Sequence, residues 1–197
     1  VTAEELRAFE REVAEAFERK EVRGPVHLSG GNEDALIDVF RDIKRDDWVF
    51  STYRSHFHAL LHGIPRDRVM AEILAGRSMN LLFPEYRFFT SAIVGGCLPI
   101  AVGVAAGIKR HGLRSRAWCF VGDMAGTVGA FHEAQQFAEG HALPITFVVE
   151  DNGLSCDSPT DECWGADVMA RDDPRNVSRY RYRRQFPHVG IGKWVAF

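Results

Sequence analysis

The sequence predicts an α/β fold, a mostly parallel sheet with helices on both faces, and three observations predict it. Two short apolar runs, Trp118 to Val121 and Ile145 to Val149, have the aromatic and β-branched composition of strands buried on both faces. Between them Phe131, Ala134, Phe137 and Ala138 recur at helical spacing from Gly129 to Gly140. Each run ends on a polar turn, Gly122-Asp123 in the first and Asp151-Asn152-Gly153 in the second. A strand-helix-strand crossover is nearly always right-handed, and open α/β sheets bind ligands outside the carboxyl ends of their strands. Asp123 and Asn152 are therefore expected to face one crevice.

The elements follow in order. Thr2-Ala-Glu-Glu5 has the form of a capping box, and Leu6, Phe9, Val13, Ala16 and Phe17 continue at helical spacing until Gly24-Pro25. After the turn-rich His27 to Asn32, residues Ala35, Leu36, Val39, Phe40 and Ile43 mark a second helix with Asn32 as its cap. Trp48 to Phe50 leads into Tyr53-Arg54-Ser55-His56-Phe57-His58, where His56, His58 and His62 read as surface or helix-face histidines. Pro65 opens a short helix with Val69, Met70, Ile73 and Leu74 on its apolar face. From Cys97 to Ile108 nearly every residue is apolar or small, which predicts a helix buried on all sides. Ser155 to Asn176 is polar and weakly periodic, a loop or short irregular pieces. Arg179 to Phe186 alternates basic and aromatic residues, as an edge strand with one solvated face does; a phosphate-facing arm is the alternative.

The 197 residues, 46% hydrophobic and 26% charged, suffice for a single domain over 1–197 with 155–197 as an irregular tail. A net charge of −3 with both signs interspersed gives no bulk electrostatic reason to bind nucleic acid or a membrane surface. No run approaches the roughly eighteen apolar residues of a membrane span, and no signal pattern opens the chain, so the expected location is the cytoplasm. Cys97, Cys119, Cys156 and Cys163 form no C-x-x-C pair and are expected as reduced, mostly buried thiols.

A hard divalent cation such as Mg²⁺ takes about six oxygen ligands at roughly 2.1 Å. Asp123 offers charge, Asn152 an amide carbonyl, and the chain just beyond, at Leu154, a backbone carbonyl. The turn through Met124, Ala125 and Gly126 heads toward a helix, where backbone N–H groups suit a diphosphate. Arg54 presents a planar fork of donors suited to phosphate, and Tyr53 adds a directed hydrogen bond. Taken singly, each strand end is also an ordinary turn.

Gly122-Asp123 followed by Asn152 beyond the helix resembles the cofactor motif of thiamine-diphosphate enzymes. The separation is closer to that of the alpha subunit of the 2-oxoacid dehydrogenases (first component) than to that of transketolase. Tyr53-Arg54-x-His56, Ile93-Val94-Gly95, Phe131-x-Glu133-Ala134 and Leu143-Pro144-Ile145-x-Phe147-Val148 are similar to segments of that subunit, in the family's order. The resemblance covers about Asn32 to Leu154. Met124 departs from the motif's third glycine, and Asn80 stands where a shortened glycine-rich loop is expected to end in histidine.

The resemblance implies a shortened, diphosphate-type domain that binds thiamine diphosphate and Mg²⁺. On it Tyr53 and Arg54 contact the diphosphate, the backbone at Met124 and Ala125 lines it, and Ile93 and Val94 lie against the aminopyrimidine. Asp123, Asn152 and Leu154 hold the metal. His56 and His188 are the candidate catalytic groups, His188 through a loose likeness of the Arg179 to His188 stretch to a loop that closes over the cofactor. The implied activity is that of an oxidoreductase on a 2-oxoacid, by oxidative decarboxylation or related C–C bond chemistry. The implied partner is a pyrimidine-binding, beta-type subunit carrying the activating glutamate, in a hetero-oligomer. A split transketolase-like subunit and a non-catalytic protein that keeps the cofactor fold stay open.

Overall fold

Thr2 starts the first helix as its sequence predicts. Its hydroxyl accepts the Glu5 N–H at 3.2 Å while the Glu5 carboxylate accepts the Thr2 N–H at 2.7 Å, a reciprocal capping box. The structure, a computed structural model, describes residues 1–165 and 173–195. In chain order the elements are α1 (Ala3–Glu18), α2 (Glu33–Phe40), β1 (Trp48–Ser51), α3 (His56–Leu61), α4 (Arg66–Leu74), β2 (Leu82–Phe83) and β3 (Phe88–Thr90). There follow α5 (Cys97–Arg110), β4 (Ala117–Gly122), α6 (Gly129–Gly140), β5 (Ile145–Asp151), β6 (Leu154–Ser155), β7 (Ser158–Pro159), α7 (Thr160–Trp164) and β8 (Val177–Arg181). The described chain divides into two compact units. The first comprises Val1–Arg45, Tyr53–Ala92 and the described residues from Arg184 onward; the second, Asp46–Thr52 and the described residues of Ile93–Arg183.

In the first unit α1 buries Leu6, Phe9, Val13 and Phe17, each worth about 1.5–3 kcal/mol relative to exposure. Glu10 lies buried on the same face. Asn32 occupies the N-cap position of α2 without a side-chain capping bond; Glu33 instead accepts the Gly31 N–H at 3.1 Å. The histidines read as surface or helix-face residues lie on a helix and are buried: His56 and His58 belong to α3 and His62 caps it. Three imidazoles interleaved with Phe57, Ala59 and Leu60 hide the apolar pattern that would mark this helix. β2 and β3 form an antiparallel pair, Leu82 opposite Phe89 and Phe83 opposite Phe88, too short to read from periodicity. After α4 the chain turns at Gly76 with φ +80°, and a Cβ there would collide with the Arg23 carbonyl oxygen.

The second unit holds four strands in the order β1-β4-β5-β8, every neighbouring pair parallel. The predicted class, a mostly parallel α/β sheet, is the one observed. α6 crosses between β4 and β5 with the boundaries read from Gly129 and Gly140. β8 lies at the sheet edge as predicted but starts at Val177, two residues earlier than the pattern marks, and ends at Arg181. The stretch read as an irregular tail thus contributes a sheet strand, and before it short pieces in the β6–β7 hairpin and α7. α5 corrects an expectation. Its buried residues Cys97, Leu98, Ala101, Val102, Ala105 and Ile108 occupy one face, whereas Pro99, Ile100 and Gly103 are exposed, so the helix is covered on one side only. Cys97 and Cys119 are buried thiols, while Cys156 and Cys163 are exposed. Among the described residues no helix is long and apolar enough to cross a membrane.

Candidate functional site

The carboxyl ends of β4 and β5 lie level. Gly122 pairs with Glu150 in the parallel register, so Asp123 and the Asp151-Asn152 pair leave the sheet side by side, as the spacing predicts. Asp123 is 2% exposed, and burial pushes its carboxyl up; the charge of Asp151 adds to the rise, and a hydrogen bond from the Thr160 hydroxyl to Oδ2 opposes it. Asp151 is engaged locally: Oδ1 accepts the Gly153 N–H at 2.9 Å and Oδ2 the Arg181 Nε–H at 2.7 Å. Asn152 Oδ1 accepts the Leu154 N–H at 3.0 Å, and its Nδ2 donates to the Tyr182 hydroxyl at 3.1 Å, which fixes the amide's orientation. A buried carboxylate, an oriented amide oxygen and the Leu154 carbonyl make an oxygen-only donor set, and that set fits a Mg²⁺-type cation.

After Asp123 the chain makes a 3-10 turn over Ala125–Thr127, with the Gly126 N–H on the Asp123 carbonyl and the Thr127 N–H on that of Met124. Those two N–H groups serve the turn. Met124 adopts φ −63° and ψ −39°, a right-handed conformation in which a side chain costs nothing, so the departure from glycine strains no backbone. The tighter position is Gly126, where a Cβ would lie 3.2 Å from Val149 Cγ1 and the valine would have to give way. The Met124 side chain meets α7, where the Trp164 indole N–H points at its Sδ at 3.2 Å. Thr160 and Trp164 thus join the site from a stretch the sequence presents as irregular. Ile93 and Val94, in the turn before α5, are 75% and 64% exposed.

The remaining sequence-derived residues gather in the first unit. Arg54, 9% exposed, donates through one guanidinium nitrogen to the Leu28 carbonyl and through the other to the His188 carbonyl at 3.1 Å. Tyr53, His27 and His188 form an aromatic cluster, with ring centroids 4.4 Å apart for His27–Tyr53, 4.8 Å for His27–His188 and 5.8 Å for Tyr53–His188. His27, which the pattern reading passes over, donates from Nδ1 to the His188 carbonyl at 2.7 Å. Burial pushes its pKa down to about 4, so the ring is neutral above that value. His56 is fully buried, with Nδ1 3.1 Å from both Glu10 oxygens and Nε2 2.8 Å from Ser78 Oγ. The basic residues Arg179 and Arg181 pair with Asp173 and Asp151.

Parallel strands that end together set Asp123 and Asn152 at the carboxyl edge of an α/β sheet, the side on which open sheets of this class take their ligands. Residues 2–170 match the family described as the dehydrogenase E1 component, and the chain belongs to that family. It is 32% identical over 176 residues to the alpha subunit of acetoin:2,6-dichlorophenolindophenol oxidoreductase from Bacillus subtilis (strain 168), covering 84% of this chain and 53% of that protein. It is 33% identical over 163 residues to the pyruvate dehydrogenase E1 component subunit alpha of Porphyra purpurea, covering 74% and 47%. A solved chain from Mycobacterium smegmatis, described as thiamin diphosphate-dependent, aligns with a TM-score of 0.46 at 22% identity over 66% of this chain and 23% of its own. The chain spans about half the length of the curated relatives it matches.

Proposed function

We propose that this chain is the alpha-type part of a thiamine-diphosphate-dependent enzyme acting on a 2-oxoacid, and that its own contribution is to hold Mg²⁺ and the diphosphate. The observation that carries the reading is the level register of β4 and β5, which places Asp123 beside Asp151-Asn152 on one strand edge. Membership of the E1 family supports it. Thiamine diphosphate, when bound, supplies the carbon nucleophile and electron sink for chemistry at a 2-oxo group. The residues of this chain do the rest of what is proposed for it. Asp123, Asn152 and the Leu154 carbonyl hold the cation, the backbone at Met124 and Ala125 approaches the diphosphate, and Tyr53 and Arg54 grip it. Ile93 and Val94 present an apolar surface for the aminopyrimidine, and His188, beside Tyr53, is the candidate proton-transfer group. A beta-type subunit supplies the activating glutamate, so the working form is a hetero-oligomer.

Calorimetry with thiamine diphosphate tests this, on the chain alone and with a beta-type subunit present. Binding is expected only with Mg²⁺ or a similar hard cation, because the buried Asp123 and the diphosphate otherwise repel each other. Equal affinity in the presence of a chelator would overturn the reading.

A further inference from the structure

Glu10, His56 and Ser78 come from three separate stretches of the first unit, α1, α3 and the turn after α4, yet they form one buried chain of hydrogen bonds. Their exposures are 1%, 0% and 0%. The Glu10 carboxylate accepts the Ser29 N–H at 2.8 Å and faces His56 Nδ1 at 3.1 Å from each oxygen, while His56 Nε2 lies 2.8 Å from Ser78 Oγ. A carboxylate only accepts, so Nδ1 carries the proton, and in the neutral ring Nε2 accepts from the Ser78 hydroxyl. Acid, imidazole and hydroxyl are linked as in a hydrolytic triad. No member reaches a surface where a substrate could meet Ser78, so the arrangement serves something other than nucleophilic attack.

What each member adjoins says what it serves. Ser29 follows His27 and Leu28, the first a ring of the aromatic cluster and the second the carbonyl that takes Arg54. His56 follows Tyr53 and Arg54 by three and two residues. Ser78 precedes Asn80, whose Oδ1 accepts the Ala92 N–H at 3.3 Å. Three segments that themselves lie outside helices and strands are therefore pinned to one carboxylate–imidazole pair. Such a pair is tolerated in a protein interior only while every proton and lone pair is met, so loss of one member is felt at the others.

We propose that Glu10, His56 and Ser78 form a buried coupling unit that holds the His27, Tyr53-Arg54 and Asn80 segments in mutual register, which makes His56 a positioning residue and not a catalytic one. The effect on cofactor binding rests on the function proposed above; the coupling rests on this geometry alone. Ser78→Ala, which removes one oxygen, is the mildest test, read by hydrogen exchange on the full chain. Amides near His27–Ser29 and Tyr53–His56, none of which Ser78 Oγ touches except through the His56 ring, are expected to exchange about tenfold faster, the scale of one lost hydrogen bond, with β4 and β5 unchanged. Ser78→Thr, which keeps the hydroxyl, restores protection, and Glu10→Gln repeats the pattern of Ser78→Ala. Faster exchange confined to the Ser78 turn, or spread evenly over both units, overturns the proposal. On the same proteins, affinity for thiamine diphosphate with Mg²⁺ is expected to fall about tenfold in Ser78→Ala; full affinity beside loosened segments overturns the claim that the unit serves the cofactor. A wild-type chain that binds no thiamine diphosphate even with its partner subunit sinks the proposed function instead, and the exchange pattern still decides the coupling.

Discussion

Thr160 donates its hydroxyl hydrogen to Oδ2 of Asp123, so α7 is tied to the residue that follows β4. Burial, and after it the Asp151 charge, push the Asp123 carboxyl up; this bond, with backbone hydrogen bonds from Asp123 and Met124, opposes them. Ionising a carboxyl buried in such a place costs the apo fold stability. Asp123→Asn is therefore expected to abolish Mg²⁺-dependent thiamine diphosphate binding while leaving the apo Tm unchanged or raised. Asn152→Ala should likewise lose most binding with little change in apo Tm. Calorimetry paired with thermal melting checks both, and a large loss of apo stability would mean that the two residues serve only their turns.

Trp164 reports on the same place. It is 50% exposed, and its indole N–H meets Met124 Sδ at 3.2 Å, next to the turn assigned to the diphosphate. Loading with thiamine diphosphate and Mg²⁺ is expected to shift tryptophan emission, and Trp164→Phe to remove the shift while binding persists. A shift of equal size in the variant would place its source at another tryptophan.

The strand-helix-strand unit was legible because its signals are local: two apolar runs, one helical period, and glycines at both ends of α6. The places of Asp123 and Asn152 in the chain were legible for the same reason, each lying in the polar turn that follows an apolar run. α3 was not, because His56, His58 and His62 interrupt the apolar pattern of a helix that is nonetheless buried. Glu10 carried an unread signal, a carboxylate on the face shared by Leu6, Phe9 and Val13. His27 and Thr160 gave none, since each depends on a partner far along the chain. α5 misleads in the opposite sense: its composition is apolar all round, but sequence cannot say which apolar face the chain itself covers.

Arg54 carries two jobs that one variant can separate. It already holds the Leu28 and His188 carbonyls, and the function proposed for it adds the diphosphate. Arg54→Lys keeps the charge and loses the fork, so thiamine diphosphate affinity should drop by about 1–3 kcal/mol. Unphosphorylated thiamine should bind the variant as it binds the wild type. An equal loss for both ligands would show that Arg54 acts by anchoring the tail.

His27 gives a pH signature. Its folded pKa of about 4 lies below the ordinary 6.5, so the folded state takes up this proton later than the unfolded chain does. The contribution to stability is intact above pH 6.5 and is lost progressively as the pH falls from 6.5 to about 4. His27→Gln should flatten that part of a Tm-against-pH curve. An unchanged curve would assign the acid sensitivity to other groups.

The last expectation concerns the partner. Ile93 and Val94 are 75% and 64% exposed, and Ile100, one turn into α5, is 44% exposed beside the uncovered Pro99 and Gly103. Exposed apolar side chains at the start of α5 suit an interaction surface, and obligate interfaces commonly bury about 2,000 Å² or more. Co-expression with a beta-type subunit should yield a hetero-oligomer by size-exclusion scattering. Ile93→Asp and Ile100→Asp should each weaken that assembly without lowering the apo Tm by much, since an exposed side chain contributes little to the fold. Activity should follow assembly, because the activating glutamate is assigned to the partner. Glu150 is a poor substitute within this chain, being buried and hydrogen-bonded by the Tyr180 hydroxyl, and Glu133 lies on the exposed side of α6. A monomeric chain that decarboxylates a 2-oxoacid with thiamine diphosphate, undisturbed by either substitution, would refute both the assembly and the division of labour between the subunits.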